Sequence, residues 1–304
     1  MFRRPNPRLT RRLALLTTTF AGLYVYDEKA NAQVLQRNTR TLYNGLVLAA
    51  DYKLNFTAKN AAGIDDLHER VARRLLHVCK ANGGLYIKLG QTIGAQSAVL
   101  PAAYQRHFRT LYDAAPAVGY DEVVKIFLQE FGVHPSDVFA EFSHEPVASA
   151  SIAQVHRATL RNGTVVAVKV QKPEIRAQMG WDLMAYRALL TLYERLFDLP
   201  LKWSADYTER HLRMEADFEN EGRNSELAWR GVQEEPTLKG RVYIPKVFWE
   251  YTGKRVLVCE WIDGVRLTDV DGLENIGVKP EEAMRTAVDM FASQIFQSGF
   301  VHGE

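Results

Sequence analysis

Lys169 sits inside Val165-Val166-Ala167-Val168-Lys169-Val170, an apolar run rich in β-branched residues. An ammonium in such a strand needs an anionic partner or a route to water. One recurrent arrangement gives the lysine a helical glutamate on one side and nucleotide phosphates on the other. The plain alternative is an edge-strand lysine whose head reaches solvent. Lys88, between Ile87 and Leu89 and followed by Gly90 and Gln91, raises the same question. Carboxylates for both lie in Glu215-Ala216-Asp217-Phe218-Glu219-Asn220-Glu221. On one helix, Glu215 and Glu219 share a face, as do Asp217 and Glu221. Glu215 and Glu221 stand about 240° apart around that helix, so they must meet different partners. Most carboxylates of such a helix are solvated. Ahead of the lysine strand, Ala148, Ser149, Ala150 and Ser151 occupy the place of a loop over a nucleotide. Phosphate-cradling loops use glycine for close backbone approach and positive φ. Alanine and serine predict a different conformation and a changed phosphate preference, or else an ordinary turn before a strand.

The elements that must position these residues read as helices, then a small sheet, then helices. From Arg40 to about Asp113 the pattern is helical, with Leu67, Val71, Leu75 and Val78 at helical spacing and Asn82-Gly83-Gly84 as a break. Pro101 opens a further piece, and Asp121–Phe131 is amphipathic. Gln154–Leu160 and Thr164–Gln171 are strands joined by Arg161-Asn162-Gly163, a strong hairpin signal. A helix is predicted from Pro173 to Phe197 and another over Asp206–Gln233. A second hairpin is predicted from Val242–Tyr251 and Lys254–Ile262, and a last helix over Pro280–Gln297. The fold class is α+β.

Composition is that of a globular chain: 304 residues, 47% hydrophobic and 24% charged. This excludes disordered, fibrous and multi-span membrane classes. A net charge of +2 argues against a nucleic-acid partner. Cys79 and Cys259 stand alone, without a metal or disulfide pattern, and fit a reducing interior. Arg3, Arg4, Arg8, Arg11 and Arg12 precede any acid, and Leu13–Tyr26 is apolar and threonine-rich. That is the pattern of a mitochondrial presequence rather than a secretory signal. A disordered basic tail and a marginal membrane anchor are the alternatives.

Five segments in order resemble the UbiB family of atypical protein-kinase-like proteins. Lys88-Leu89-Gly90-Gln91 resembles its KxGQ motif, and Ala148–Val155 its alanine-rich loop. Val166–Pro173 resembles its ATP-lysine strand, Glu215-x-Asp217-Phe218-x-x-Glu221 its acidic helix, and Leu257–Gly264 its hinge. The resemblance implies that Lys169 meets ATP phosphates and pairs with Glu221, beneath a loop made by Ala148, Ser149, Ala150 and Ser151. It implies that Glu260 and Ile262 offer backbone groups to adenine. Lys88, Gly90 and Gln91 would belong to an extension folded over the active site, with Glu215 as its electrostatic partner. The implied fold is a protein-kinase-like N-terminal lobe with a helical N-terminal extension and an inserted helix, the C-terminal lobe largely missing. The corresponding division is 1–39 targeting or anchor segment, 40–145 helical extension, 146–265 N-lobe and 266–304 start of the C-lobe. Implied partners are ATP and mitochondrial membrane lipid or quinone intermediates, in a mitochondrial protein associated with the inner membrane.

The family pattern continues into a His-x-Asp-Pro-His-Pro-Gly-Asn catalytic loop and a metal-binding Asp-Phe-Gly. Here the sequence reaches Phe300-Val301-His302-Gly303-Glu304, with Glu304 at the aspartate position. ATP with Mg²⁺ is therefore expected of the full-length family member. These residues lack its Mg²⁺ ligands, and no phosphotransfer is expected from them alone. The expectation divides between a fragment of a longer kinase-like enzyme and a short pseudokinase that binds nucleotide or lipid. A plain helical scaffold is the third reading.

Overall fold

The computed structural model describes residues 7–95, 100–112 and 115–301. In chain order its helices begin with α1 (Pro7–Ala30), α2 (Val34–Asn55), α3 (Ile64–Asn82), α4 (Leu85–Ala95) and α5 (Ala102–Phe108). Then come α6 (Tyr120–Phe131), α7 (Pro135–Val138) and the strands β1 (Phe139–Phe142), β2 (Ala148–Ser149), β3 (Ala153–Leu160) and β4 (Val165–Gln171). The chain continues through α8 (Pro173–Phe197), α9 (Lys202–Glu215), α10 (Phe218–Glu234), β5 (Val256–Glu260), α11 (Val270–Asn275) and α12 (Pro280–Ser293). Packing does not follow chain order. Met1–Ala115 with Lys172–Leu212 forms one compact unit, and Pro116–Gln171 with Arg213–Glu304 the other. Residues 116–145, read from the sequence as part of the helical extension, thus pack with the sheet.

The first unit is built on two apolar faces. Leu67, Val71, Ala72, Val78 and Cys79 of α3 bury against Tyr86, Tyr104, Phe108 and Leu111. Burial pushes the Cys79 thiol up to about 12, so it fills the core and is no nucleophile. α2 and α8 run parallel, since Arg37 meets Asp182, Tyr193 Oη donates to the Gly45 carbonyl, and Lys53 Nζ donates to the Leu196 carbonyl. Gly45 makes that approach possible: a Cβ there would fall 2.5 Å from Leu189 Cδ2. The turn between α1 and α2 is held by Asp27, whose carboxylate accepts the Leu35 and Gln36 amides at 2.8 and 2.9 Å. Among the described residues no helix is long and apolar enough to cross a membrane.

The second unit is an antiparallel sheet in the order β1-β3-β4-β5, with β2 paired to the start of β3. Alternation along the strands sends Val166, Val168 and Val170 of β4 and Val256 and Val258 of β5 into one core. Val123, Ile126 and Phe127 of α6 cover that face. The β3–β4 loop closes on Gly163 at φ 87°, as an Asn-Gly hairpin signal requires. Arg255 ties the far side of α6 to the sheet, its Nε donating to Glu130 Oε2 at 2.9 Å.

Three sequence expectations are corrected. The helix expected over Asp206–Gln233 is broken at Ala216-Asp217, where the Asp217 side chain accepts from the Glu219 amide and caps α10. The first arm of the second hairpin, Val242–Tyr251, is not a strand. Its one bridge to β5 joins Val247 to Cys259, Val242 bridges back to Lys239, and the segment ends in a 3-10 turn. The ladder fails at Lys246, whose amide turns to the Glu260 side-chain carboxylate. Finally, α12 stops at Ser293 and the chain passes into a π turn over Gln294–Ser298.

Candidate functional site

The alternation that buries Val166, Val168 and Val170 sends Ala167, Lys169 and Gln171 to the opposite face of β4. Lys169 Nζ lies 2.8 and 2.7 Å from Glu221 Oε1 and Oε2. The ammonium also sits 4.9 Å from the centroid of the fully buried Phe218 ring. Three features bring Glu221 there. Asp217 starts a new helix, the Phe218 amide donates to the Lys254 carbonyl beside β5, and Gln171 Nε2 donates to the Ala216 carbonyl. Glu221 falls in the first turn of α10, where the helix dipole favours a carboxylate. The pair is not sealed: the Lys169 and Glu221 side chains keep 30% and 41% of their surface exposed. Such a lysine can hold its glutamate and still present protons to a second anion.

Around the pair, β3 contributes Val155, directly opposite Lys169, and β5 contributes Leu257 and Cys259 on the same face. The Cys259 thiol is raised by burial first and by Glu221 next, against the opposing pull of Lys169, which sets it beside the pair. Val155, Ala167, Cys259 and Phe218 were not singled out as site residues from the sequence. Period-two alternation from Lys169 marks Ala167, and the β3–β4 register then marks Val155.

The alanine-rich segment is a tight hairpin. Ala148 pairs with Val155 and Ser149 with Gln154, and the Ala150 amide donates to the Ala153 carbonyl at 2.8 Å. Ser151 and Ile152 form the turn, and neither takes positive φ. Ile152 is buried and anchors it. The Ser149 hydroxyl donates to the Pro116 carbonyl.

Past β5 the backbone opens. The Trp261 amide donates to the Val165 carbonyl and the Glu260 amide to the Lys246 carbonyl. The Lys246 amide turns to the Glu260 carboxylate, at 3.5 Å, instead of to its carbonyl. Among the described residues, the Glu260 carbonyl accepts no hydrogen bond and the Ile262 amide donates none. A carbonyl and an amide two residues apart on one strand edge can take a donor–acceptor pair from a planar base.

The KxGQ residues lie in the first unit, on α4. Gly90 packs where a Cβ would come within 2.3 Å of Leu111 Cδ1. Gln91 Nε2 donates to the Leu111 carbonyl at 2.9 Å, and Tyr112 Oη returns a bond to the Gln91 carbonyl. Lys88 is half-buried on the same helix. Glu215 ends α9 and is counted with the second unit. Glu304 and His302 lie outside the described residues.

Residues 110–304 match the ABC1 atypical kinase-like domain. The chain belongs to this family. It is 44% identical over 293 residues to an ABC1 family protein of Schizosaccharomyces pombe, covering 96% of this chain and 55% of that one. An ABC1 family protein of Purpureocillium lilacinum is 37% identical over 322 residues, covering 95% and 54%. An AarF domain-containing kinase 1 of Drosophila melanogaster is 32% identical over 292 residues, covering 93% and 56%. The chain therefore spans about half the length of the relatives it matches. The ABC1 match takes in the alanine-rich hairpin, the lysine strand, the capped helix α10 and β5. The KxGQ helix α4 precedes it and falls within the span of the fungal relatives.

Proposed function

We propose that the second unit is the nucleotide-holding part of an atypical kinase-like protein, and that the nucleotide is ATP. The observation that carries this is the bidentate, half-open Lys169–Glu221 pair set on the face of Val155, Ala167 and Cys259. Lys169 would keep Glu221 and direct its remaining donor capacity to phosphate oxygens. Ala148, Ser149, Ala150 and Ser151 would lie over the phosphates, their compact turn offering fewer backbone amides than a glycine loop. The Glu260 carbonyl and Ile262 amide would receive the adenine edge. Mg²⁺ is expected with ATP in the longer proteins. Among the described residues no group of three His, Cys, Asp or Glu side chains is placed to hold a metal ion. The role proposed for these residues is to bind and orient. An ATP analogue should raise the thermal midpoint of the chain, and Lys169→Ala should abolish the shift. No shift in the parent chain overturns the reading in favour of a helical scaffold.

The wider role is proposed on the family resemblance. Lys88, Gly90, Gln91 and Glu215 would belong to a helical extension that restricts access to the nucleotide. Residues 1–39, with their acid-free arginine cluster, would direct the protein to mitochondria or anchor it at the inner membrane. Lipid or quinone homeostasis is the proposed setting. Phosphoryl transfer belongs to the proposal for the longer relatives. The alternative is a module that binds nucleotide or lipid without turnover. ATP turnover by a longer form, lost when its catalytic-loop aspartate is replaced, separates the two.

A further inference from the structure

Behind the alanine-rich hairpin lies a polar chain that the nucleotide reading does not use. Gln154 and His156 of β3 are 1% and 0% exposed, in the middle of an apolar sheet. Buried side chains of this kind need every hydrogen-bonding atom matched. The Val118 amide donates to Gln154 Oε1 at 2.8 Å, and Gln154 Nε2 donates back to the Val118 carbonyl at 3.0 Å. The two backbone groups allow the Gln154 amide only one orientation. Its second N–H then points at His156 Nε2, 2.9 Å away, which must accept. The other ring nitrogen, Nδ1, faces the Ser143 carbonyl at 2.7 Å and must donate. Both ring nitrogens are thus assigned, and the imidazole is neutral with its hydrogen on Nδ1.

A second tie reaches the same segment. Ser149, the cross-strand partner of Gln154, donates its hydroxyl to the Pro116 carbonyl. Residues 116–118 are therefore held to the base of the alanine-rich turn by two side chains that face each other across the hairpin. A proton on His156 Nε2 would meet the Gln154 amide hydrogens, donor against donor. Rotating that amide to offer Oε1 to the ring turns its nitrogen on the Val118 amide and its oxygen on the Val118 carbonyl. The clasp cannot keep both contacts with an imidazolium.

We propose that Gln154 and His156 are positioning residues that clasp residues 116–118 to the alanine-rich hairpin, and that protonation of His156 opens the clasp and loosens the loop over the nucleotide. The loosening rests on the nucleotide reading above; the clasp itself does not. The groups around the ring are few. Phe142 of β1 packs against it with ring centroids 5.0 Å apart and planes tilted by 35°, and Val168 of β4 lies opposite. Glu145 and His144 are its titratable neighbours, and Tyr120 of α6 stacks on His144 at 3.9 Å. Burial holds the His156 pKa below the ordinary 6.5, outweighing the Ser143 bond and Glu145, which pull it up. A histidine depressed in the folded state stabilises it fully above its unfolded value, and the stabilisation is lost as pH falls through the folded value.

The test follows the His156 ring nitrogens of the 304-residue chain by NMR between pH 7.5 and 4.5, together with the Val118 and Ser149 amides and the affinity for an ATP analogue with Mg²⁺. The expected result is a bare Nε2 at neutral pH. The Val118 and Ser149 signals should shift at the pH where His156 takes up its proton, and analogue affinity should fall several-fold across that step. Gln154→Glu supplies a carboxylate that accepts from an imidazolium, so His156 should hold its proton at least tenfold more tightly. His156→Asn keeps a donor for Ser143 and does not titrate, so the pH step in affinity should flatten. Protonation of Nε2 in the neutral ring, or titration of His156 without a change at Val118, overturns the clasp. An unchanged pH step in His156→Asn overturns the positioning role. Coupled titration of His156 and Val118 with no analogue binding at any pH supports the clasp and overturns only the nucleotide reading.

Discussion

Two ion pairs divide this molecule by purpose. In the helical unit, Arg37 and Asp182 have side chains only 3% and 2% exposed, and in the sheet unit Lys169 and Glu221 keep 30% and 41%. The buried pair is closed on itself. Arg37 also donates to the Asn82 carbonyl and lies 5.5 Å from the Tyr86 ring centroid, while Asn82 donates to Thr41 and Thr41 to Tyr86. The network joins α2, α3, α4 and α8 through protein–protein hydrogen bonds. The open pair has one glutamate, one ring face and solvent. Burial raises the Asp182 pKa despite Arg37, the sign of a charge whose desolvation its partner does not fully offset. The closed pair specifies structure. The open one leaves part of the lysine in solvent, where the proposal places a second anion.

If that division is right, the largest loss of stability should come from the closed pair. Asp182→Ala strands a buried guanidinium and should cost about 3–5 kcal/mol in denaturant unfolding. The double replacement Arg37→Met with Asp182→Leu should recover much of it. Next is Gly90→Ala, which puts a methyl against Leu111 and should cost about 1–3 kcal/mol by overpacking. Smaller again is Asp27→Ala, which removes the acceptor of two α2 amides and should cost about 1 kcal/mol, as lost caps do. Burial alone would raise the Asp27 pKa, but the Leu35, Gln36 and Asn31 hydrogen bonds hold it below 3.8. Its contribution is full above the unfolded value and lost as pH falls through the folded one. Asp27→Asn should remove that part of the acid sensitivity. The smallest stability effect should be that of Lys169→Met, within about 1 kcal/mol, as for partly exposed pairs.

The same contrast explains what the sequence revealed. Lys169 announced itself because a charge in a β-branched strand breaks a local pattern. Its partner Glu221 was legible through the family motif. The break at Ala216-Asp217 was not, because acids four apart read as a continuous helix. The Gln171 bond to the Ala216 carbonyl and the Lys254 bond to the Phe218 amide are tertiary. Arg37 and Asp182 are 145 residues apart, and each alone reads as a solvated helix charge. β1 and β2 were too short to show a period. The roles of Gln154 and His156 depend on Val118 and Ser143, backbone groups that no side-chain pattern marks.

The central claim, that the open pair grips a nucleotide, is tested most directly by calorimetric titration of the 304-residue chain and its Lys169→Met variant. The titrant is a non-hydrolysable ATP analogue with Mg²⁺. Saturable binding to the parent chain, at least tenfold weaker in a variant whose unfolding free energy stays within about 1 kcal/mol, is the predicted result. Equal affinity in both would contradict it.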